Sequence, residues 1–166
     1  MTEPQTLIIT AEDLDENNVY TKSYGIDFDG NIIIEKNLGT VIFKTFMNAT
    51  LSIMARSGSG IKAGYGIEAG WGIEAGSGIE AGSGIKAGSG IEAGWGIEAG
   101  WGIEAGSGIE AGWGIEAGYG ISSETIYAET RIFAGLCMHK IPTEGEMKIK
   151  SKVLKGVIAF GILEEP

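Results

Sequence analysis

The centre of the chain repeats one six-residue unit, Ile-x-Ala-Gly-x-Gly, ten times without interruption from Ile61 to Gly120. The isoleucine and the alanine are two positions apart, so in an extended chain their side chains point to the same face. The glutamate or lysine between them points to the opposite face. An α-helix is disfavoured because two glycines in every hexad would each cost about 1 kcal/mol relative to alanine. Each hexad therefore predicts a short strand followed by a corner.

The Gly-x-Gly step suits that corner, because glycine adopts positive φ without steric cost and we expect the repeat glycines to use this freedom. A single strand of three or four residues cannot bury its isoleucine and alanine. Identical strands stacked about 4.8 Å apart, however, form a continuous apolar wall. The repeat therefore predicts an all-β chain, a β-solenoid similar to a parallel β-helix and built from hexapeptide repeats.

The number of hexads in one turn is open at this point. Three per turn would give a triangular prism, and two would give a flattened one. Stacked glutamates about 5 Å apart repel one another in either arrangement. Two per turn would collect both repeat lysines in one column, and we favour it for that reason. The other column would then consist of five glutamates: Glu68, Glu80, Glu92, Glu104 and Glu116.

The segments on both sides of the hexads also have strand-like composition. Residues 30–55 are rich in β-branched and aromatic residues and predict strands on the same axis. Residues Ile132–Gly135 repeat the Ile-x-Ala-Gly skeleton. Because the open strand edges of a solenoid invite pairing with other chains, we expect non-repetitive β caps at both ends. We predict one domain over 1–166, with an N-terminal cap and rungs in 1–56, the repeat solenoid in 57–121 and a C-terminal cap in 122–166.

Charge and cysteine content limit the partners and the compartment. The formal net charge of −10 argues against nucleic acid and anionic membranes as partners and favours a basic protein. The single cysteine excludes an internal disulfide framework, and the N-terminus lacks a signal-peptide pattern. The charged residue in every hexad prevents an apolar run of the roughly 20 residues needed to cross a bilayer. We expect a cytoplasmic protein.

The variable position of the Gly-x-Gly step carries all four tryptophans of the chain. Their rings either fill space at the corners or project as anchors of the kind that dominates interface energies. The repeat glutamates have interchangeable surroundings, which disfavours a catalytic pair and leaves a solvated face or a docking surface for a basic protein. The predicted partner-binding residues are six aromatic and five acidic ones: Tyr65, Trp71, Trp95, Trp101, Trp113, Tyr119, Glu68, Glu80, Glu92, Glu104 and Glu116.

Other motifs give little support for chemistry. The strings GYGIEA and GWGIEA match a dinucleotide-binding pattern, but no helix is predicted after them. Cys137 and His139 lie two apart, yet a zinc site needs about four ligands, so a buried thiol and a surface imidazole are favoured. Acyltransferases with left-handed hexapeptide repeats have the same period, but they place a small residue where this chain has Trp, Tyr or Ser. We predict no enzyme activity, catalytic residue, metal or cofactor.

A family resemblance adds to these observations. The GIEAGW hexads, RIFAGLC at 131–137 and LKGVIAFG at 154–161 together resemble small bacterial repeat proteins that act as immunity proteins of contact-dependent growth inhibition systems. The resemblance covers residues 57–161. It implies a non-enzymatic inhibitor that binds one cognate toxin domain, often a basic RNase or other nuclease, and covers its active site. The acidic cluster EDLDEN at 12–17 lies outside the hexads, and we expect specificity for one toxin in the first 56 residues.

A structural solenoid without a toxin partner is the alternative hypothesis. Such a chain would polymerise through its ends, since uncovered strand edges pair with one another. Its size would then increase with protein concentration.

Overall fold

The computed structural model describes residues 4–165, and within them the chain forms nineteen β-strands and two short 3₁₀ helices. The first six strands are β1 (Thr6–Ile9), β2 (Ile26–Phe28), β3 (Asn31–Ile34), β4 (Gly39–Phe43), β5 (Met47–Ala49) and β6 (Ile53–Ala55). The repeat forms β7 (Ser59–Ala63), β8 (Ile67–Ala69), β9 (Ile73–Ala75), β10 (Ile79–Ala81), β11 (Ile85–Ala87), β12 (Ile91–Ala93), β13 (Ile97–Ala99), β14 (Ile103–Ala105), β15 (Gly108–Ala111) and β16 (Ile115–Ala117). The last strands are β17 (Ile121–Ala134), β18 (Lys148–Phe160) and β19 (Ile162–Glu164), and the 3₁₀ helices are Ala11–Asp13 and Glu144–Met147. None of the helices in this described part of the chain has the length and apolar character to cross a membrane.

The strands stack in parallel with a register of eighteen residues. Ile61 pairs with Ile79, and Ile79 pairs with Ile97. Eighteen residues are three hexads, so each turn of the solenoid has three sides. The prediction of two hexads per turn is therefore wrong, and the predicted β-solenoid fold is confirmed in its triangular form.

The three sides can be named by the strands that stack on them. Face I contains β4, β7, β10, β13 and β16. Face II contains β2, β5, β8, β11 and β14. Face III contains β1, β3, β6, β9, β12 and β15. The long strands β17 and β18 wrap around all three faces, and the molecule has about eight turns.

The isoleucine and alanine of every hexad point into the prism, as predicted. Both are buried in all ten copies, with at most 4 % of the side chain exposed, whereas the residue between them lies at the surface. Each isoleucine packs on the isoleucines of the turns before and after it. Burying one aliphatic side chain contributes about 1.5–3 kcal/mol, and the repetition of this gain along the axis stabilises strands that are too short to be stable alone.

The repeat glycines have a different role from the predicted one. None of the glycines in the ten hexads, all of which are described, has positive φ. Instead, the glycine after each alanine lies against the backbone of the adjacent turn. A Cβ on Gly88 would be 2.0 Å from the carbonyl oxygen of Gly70, whereas one on Gly90 would be 3.5 Å from that of Gly108. The glycine after alanine is therefore required by close approach between turns. The second glycine has room for a Cβ at some corners, as at Gly90, and little at others, as at Gly114, where a Cβ would be 2.9 Å from the carbonyl oxygen of Arg131.

The flanking segments continue the same stack. Strands β3 to β6 lie in register with the first hexads, as predicted for residues 30–55. Ile132 and Ala134 pair with Ile115 and Ala117, so the predicted skeleton in β17 is a further rung. At the N-terminal end, Tyr20 is buried against Phe43, with 5.4 Å between the ring centroids. The predicted boundaries at 56 and 121 remain a prediction.

Candidate protein-binding surface

The variable residues of the Gly-x-Gly steps form three columns along the edges of the prism. Backbone N–H groups in each column donate to the carbonyl one turn before, as from Trp113 to Trp95. Edge I–II, between faces I and II, contains Tyr65, Ser83, Trp101 and Tyr119. Edge II–III contains Trp71, Ser89 and Ser107, and edge III–I contains Ser77, Trp95 and Trp113.

The tryptophans project into solvent. Their side chains are 58–67 % exposed, and Tyr65 is 60 % exposed, while Tyr119 is half-buried. The interior is already filled by isoleucine and alanine, so the corners leave no internal space for an indole ring. Of the two interpretations that the sequence left open, the structure selects the outward one for these residues. Exposed aromatic rings on a rigid scaffold are the usual form of interface anchors.

Two of the edges bring aromatic rings together. On edge III–I, Trp95 and Trp113 stack with their centroids 6.2 Å apart and their planes 19° apart. On edge I–II, Trp101 and Tyr119 form a tilted pair with 6.5 Å between centroids. Trp71 on edge II–III has serines as its next two neighbours along the column. The predicted aromatic set is thus divided over three edges and does not form one patch.

The five predicted glutamates are also divided, because the turn has three hexads. Glu80 and Glu116 lie on face I, Glu68 and Glu104 on face II, and Glu92 on face III. The single acidic column expected for two hexads per turn does not exist. Both repeat lysines pair with the glutamate one turn later: Lys62 with Glu80 at 2.5 Å and Lys86 with Glu104 at 3.5 Å. Lys86 thus separates Glu68 from Glu104 on face II, whereas Lys62 precedes three glutamates that stack directly on face I, Glu80, Glu98 and Glu116.

The acidic residues next to the stacked tryptophans form no ion pair with a repeat lysine. Trp95 lies between Glu92 on face III and Glu98 on face I, and Trp113 lies between Glu110 and Glu116 in the next turn. Among residues 4–165, no ion pair includes any of these four glutamates. We call Trp95, Trp113 and these four glutamates the tryptophan ridge.

Sequence reasoning missed two members of the ridge. Glu98 and Glu110 were absent from the predicted set because it assumed a twelve-residue turn. The repeat letters do not give the turn length: the string IEAGWGIEAG begins at residues 67, 91, 97 and 109, so copies separated by twelve and by eighteen residues both occur.

The surroundings of Glu98 change the acidity of its carboxyl group. Partial desolvation, together with the charges of Glu116 and Glu80 in the adjacent turns, raises the pKa of Glu98 above its ordinary value of 4.5, and Lys62 opposes this. An acid with a raised pKa binds its proton more tightly in the folded chain. The free energy of unfolding therefore falls as the pH rises from the ordinary glutamate pKa to the raised pKa of Glu98, and it stays lower at neutral pH.

Replacing Glu98 with glutamine should consequently stabilise the protein at pH 7. We expect a gain of roughly 0.2–1 kcal/mol, the size of a cross-strand charge effect, and the gain should disappear below about pH 4, where the wild-type carboxyl is protonated. Thermal unfolding measured from pH 3 to 8 tests this. The matched control is Glu104→Gln, which removes the partner of Lys86 and should give no gain. An equal stabilisation by both variants would contradict the explanation.

Cys137 and His139 lie in the loop between β17 and β18, and not in a strand. The thiol is half-buried, 3.7 Å from the Tyr119 hydroxyl, and the imidazole is exposed. The prediction of a surface imidazole is confirmed. The thiol was predicted to be buried and is only half-buried. Lys140 of the same loop lies 5.3 Å from the centroid of the Tyr119 ring and pairs with Glu146 at 2.6 Å. A lysine thus lies at the C-terminal end of edge I–II. The described residues contain no cluster of His, Cys, Asp and Glu that could hold a metal ion.

The fold and this surface define the class of protein: a triangular β-solenoid of hexapeptide repeats with exposed aromatic and acidic edges. Comparisons with protein-family models, with curated proteins and with solved structures found no match to the chain.

Proposed function

We propose that the chain is a cytoplasmic immunity protein that binds a cognate toxin domain of a contact-dependent growth inhibition system and covers its active site. The observation that carries the proposal is the combination of exposed tryptophans with unpaired glutamates on a rigid solenoid. Tryptophan, tyrosine and arginine are the residue types that contribute most to protein interfaces. The resemblance of residues 57–161 to immunity proteins supplies the biological context.

The charge of the chain supports a basic partner, such as an RNase or another nuclease. Nuclease domains bind phosphates and are often positively charged where the substrate lies. An acidic inhibitor of net charge −10 would be attracted to that surface, and the attraction increases the association rate in a salt-dependent manner. Inhibition would require no chemistry from this chain, because occupying the substrate-binding surface is sufficient.

Co-expression with the product of the adjacent gene tests the proposal. Under the proposal the adjacent gene encodes the toxin domain, so its expression should arrest growth of a bacterial host, and expression of this chain in the same cells should restore growth. Size-exclusion chromatography with light scattering should show a 1:1 complex of the two purified proteins. A catalytically inactive toxin variant keeps the partner available in cells that lack the inhibitor.

Two outcomes would overturn the proposal: continued growth arrest with the chain present at an equal or higher level, or inhibition of the toxin without a stable complex. An immunity protein with another specificity is the matched control. It should leave the arrest unchanged and thus show that protection depends on this chain.

Self-assembly is a second candidate function, and the exposed apolar side chains of the last turn favour it. These are Leu154, Val157, Phe160, Ile162 and Leu163 on β18 and β19. Apolar groups at a strand edge promote pairing with a further chain. Light scattering over a hundredfold range of concentration distinguishes the candidates, since a polymer grows with concentration and an immunity protein keeps a fixed size.

A further inference from the structure

The three edges of the solenoid differ in charge, although their hexads are nearly identical. Edge I–II is flanked by both repeat lysines, Lys62 on face I and Lys86 on face II, and Lys140 lies over its last aromatic ring. Edge II–III has Lys86 on one side and a single tryptophan, Trp71. Edge III–I has no repeat lysine on either side over the turns that contain Trp95 and Trp113. The tryptophan ridge therefore combines two stacked indole rings with four glutamates that form no ion pair, a combination that the other two edges of the ten hexads do not have.

The geometry of the ridge is repeated in two consecutive turns. Successive turns are about 4.8 Å apart, so the carboxylates of Glu98 and Glu116 lie one above the other beside the stacked indoles. The same holds for Glu92 and Glu110 on the other side of the edge. Glu98, Glu116 and Trp113 line a common groove on face I. Arg131 also lines this groove in the following turn, and no ion pair of Arg131 occurs among the described residues.

Such an arrangement favours a guanidinium group over an ammonium group. A guanidinium is planar and more weakly hydrated, so it stacks on an indole face while its edge N–H groups donate to carboxylates. A charge-assisted, two-point contact of this kind is stronger than a contact to a single point charge. An ammonium can approach the same carboxylates, but it cannot stack and remains more strongly hydrated.

We propose that the tryptophan ridge is the contact point for the partner and that it binds arginine side chains of a basic protein. This inference rests on the proposed function. The guanidinium groups stack on Trp95 and Trp113, and the glutamates on both sides accept their hydrogen bonds. Trp71 and the lysine-flanked edge I–II lie outside this contact. The two-turn repeat of the ridge fits two arginines spaced along the solenoid axis.

Titration of the full chain with hexa-arginine and hexa-lysine peptides tests the ridge without the natural partner. Indole N–H resonances, followed by NMR, report each tryptophan separately. We expect hexa-arginine to shift Trp95 and Trp113 more than Trp71, and to bind at least about tenfold more tightly than hexa-lysine of equal charge. The variant Trp95→Ser/Trp113→Ser should lose about tenfold in affinity for hexa-arginine, as expected for the loss of interface anchors.

Matched variants separate the ridge from general charge attraction. Trp71→Ser removes an equally exposed indole between two glutamates and should keep wild-type affinity. Glu98→Gln/Glu116→Gln should weaken hexa-arginine binding, whereas Glu68→Gln/Glu74→Gln, with the same change in net charge, should have less than half that effect. Circular dichroism confirms that each variant is folded. Equal losses at the ridge and at Trp71, or equal binding of both peptides, would overturn the proposal.

The natural complex provides a separate result. If a toxin complex forms and Trp95→Ser/Trp113→Ser leaves its affinity unchanged, the ridge proposal fails and the immunity function stands. If no toxin complex forms but the peptide results are as expected, the immunity function fails and the arginine-binding ridge stands.

Discussion

Alanine in place of Gly88 is expected to destabilise the solenoid by about 1–3 kcal/mol, the usual cost of overpacking. The added methyl group would lie 2.0 Å from the carbonyl oxygen of Gly70, a contact that only a shift between two turns can relieve. Such a shift would also strain the isoleucine and alanine stacks on both sides. For a protein of this length, each kcal/mol corresponds to roughly 2–4 °C in melting temperature. Thermal unfolding followed by circular dichroism measures the effect.

Gly90→Ala is the matched control, two residues later in the same corner. Its methyl group would lie 3.5 Å from the carbonyl oxygen of Gly108, which is an ordinary contact. Alanine also has fewer unfolded conformations than glycine, so the change should be neutral or stabilise by up to about 1 kcal/mol. Equal destabilisation by the two variants would show that the corner requires glycine for its backbone conformation and not for close approach.

Ile73→Ala should have the larger effect, a loss of about 2–5 kcal/mol in the free energy of unfolding. Ile73 is 1 % exposed and stacks between Ile53 and Ile91, so its truncation removes apolar contacts with both adjacent turns. The backbone pairing on both sides limits collapse around the cavity. Urea unfolding should show a lower midpoint with an unchanged slope, because the same surface is exposed on unfolding.

The neighbouring Glu74→Ala variant is the control for this strand. Its side chain points outward on face III, so its loss should change the free energy of unfolding by about 0.5 kcal/mol at most. A loss of several kcal/mol at Glu74, or a small loss at Ile73, would contradict the assignment of the interior. The pair thus tests the inward and outward sides of one three-residue strand.

Much of the fold follows from the hexad itself. Isoleucine and alanine two positions apart require an extended backbone to share a face, and repeated glycine makes a helix too costly. These facts predicted strands, their inward residues and a parallel stack. The rungs in residues 30–55 and at Ile132–Gly135 were predicted for the same reason, since they retain the alternating pattern.

The sequence predicted which types of residue form the candidate surface, but not how these residues are grouped on the solenoid. The aromatic and acidic residue classes could be named from the free positions of the hexad. Their grouping depended on the turn length, and a wrong turn length placed Glu92 and Glu116 in one column and omitted Glu98 and Glu110. Trp95 and Trp113 meet only because they are eighteen residues apart, and the sequence of one hexad contains no such information.

By itself the sequence therefore determined the unit of structure: a short strand with isoleucine and alanine inside, a charge outside and a glycine corner. The tertiary structure decided how many units close one turn. Every hexad can stack on every other hexad with the same local contacts, so the choice between two and three sides depends on how the walls meet and fill the interior. That choice, made by three-sided packing of the isoleucines, places the tryptophans outside and brings two of them together between unpaired glutamates.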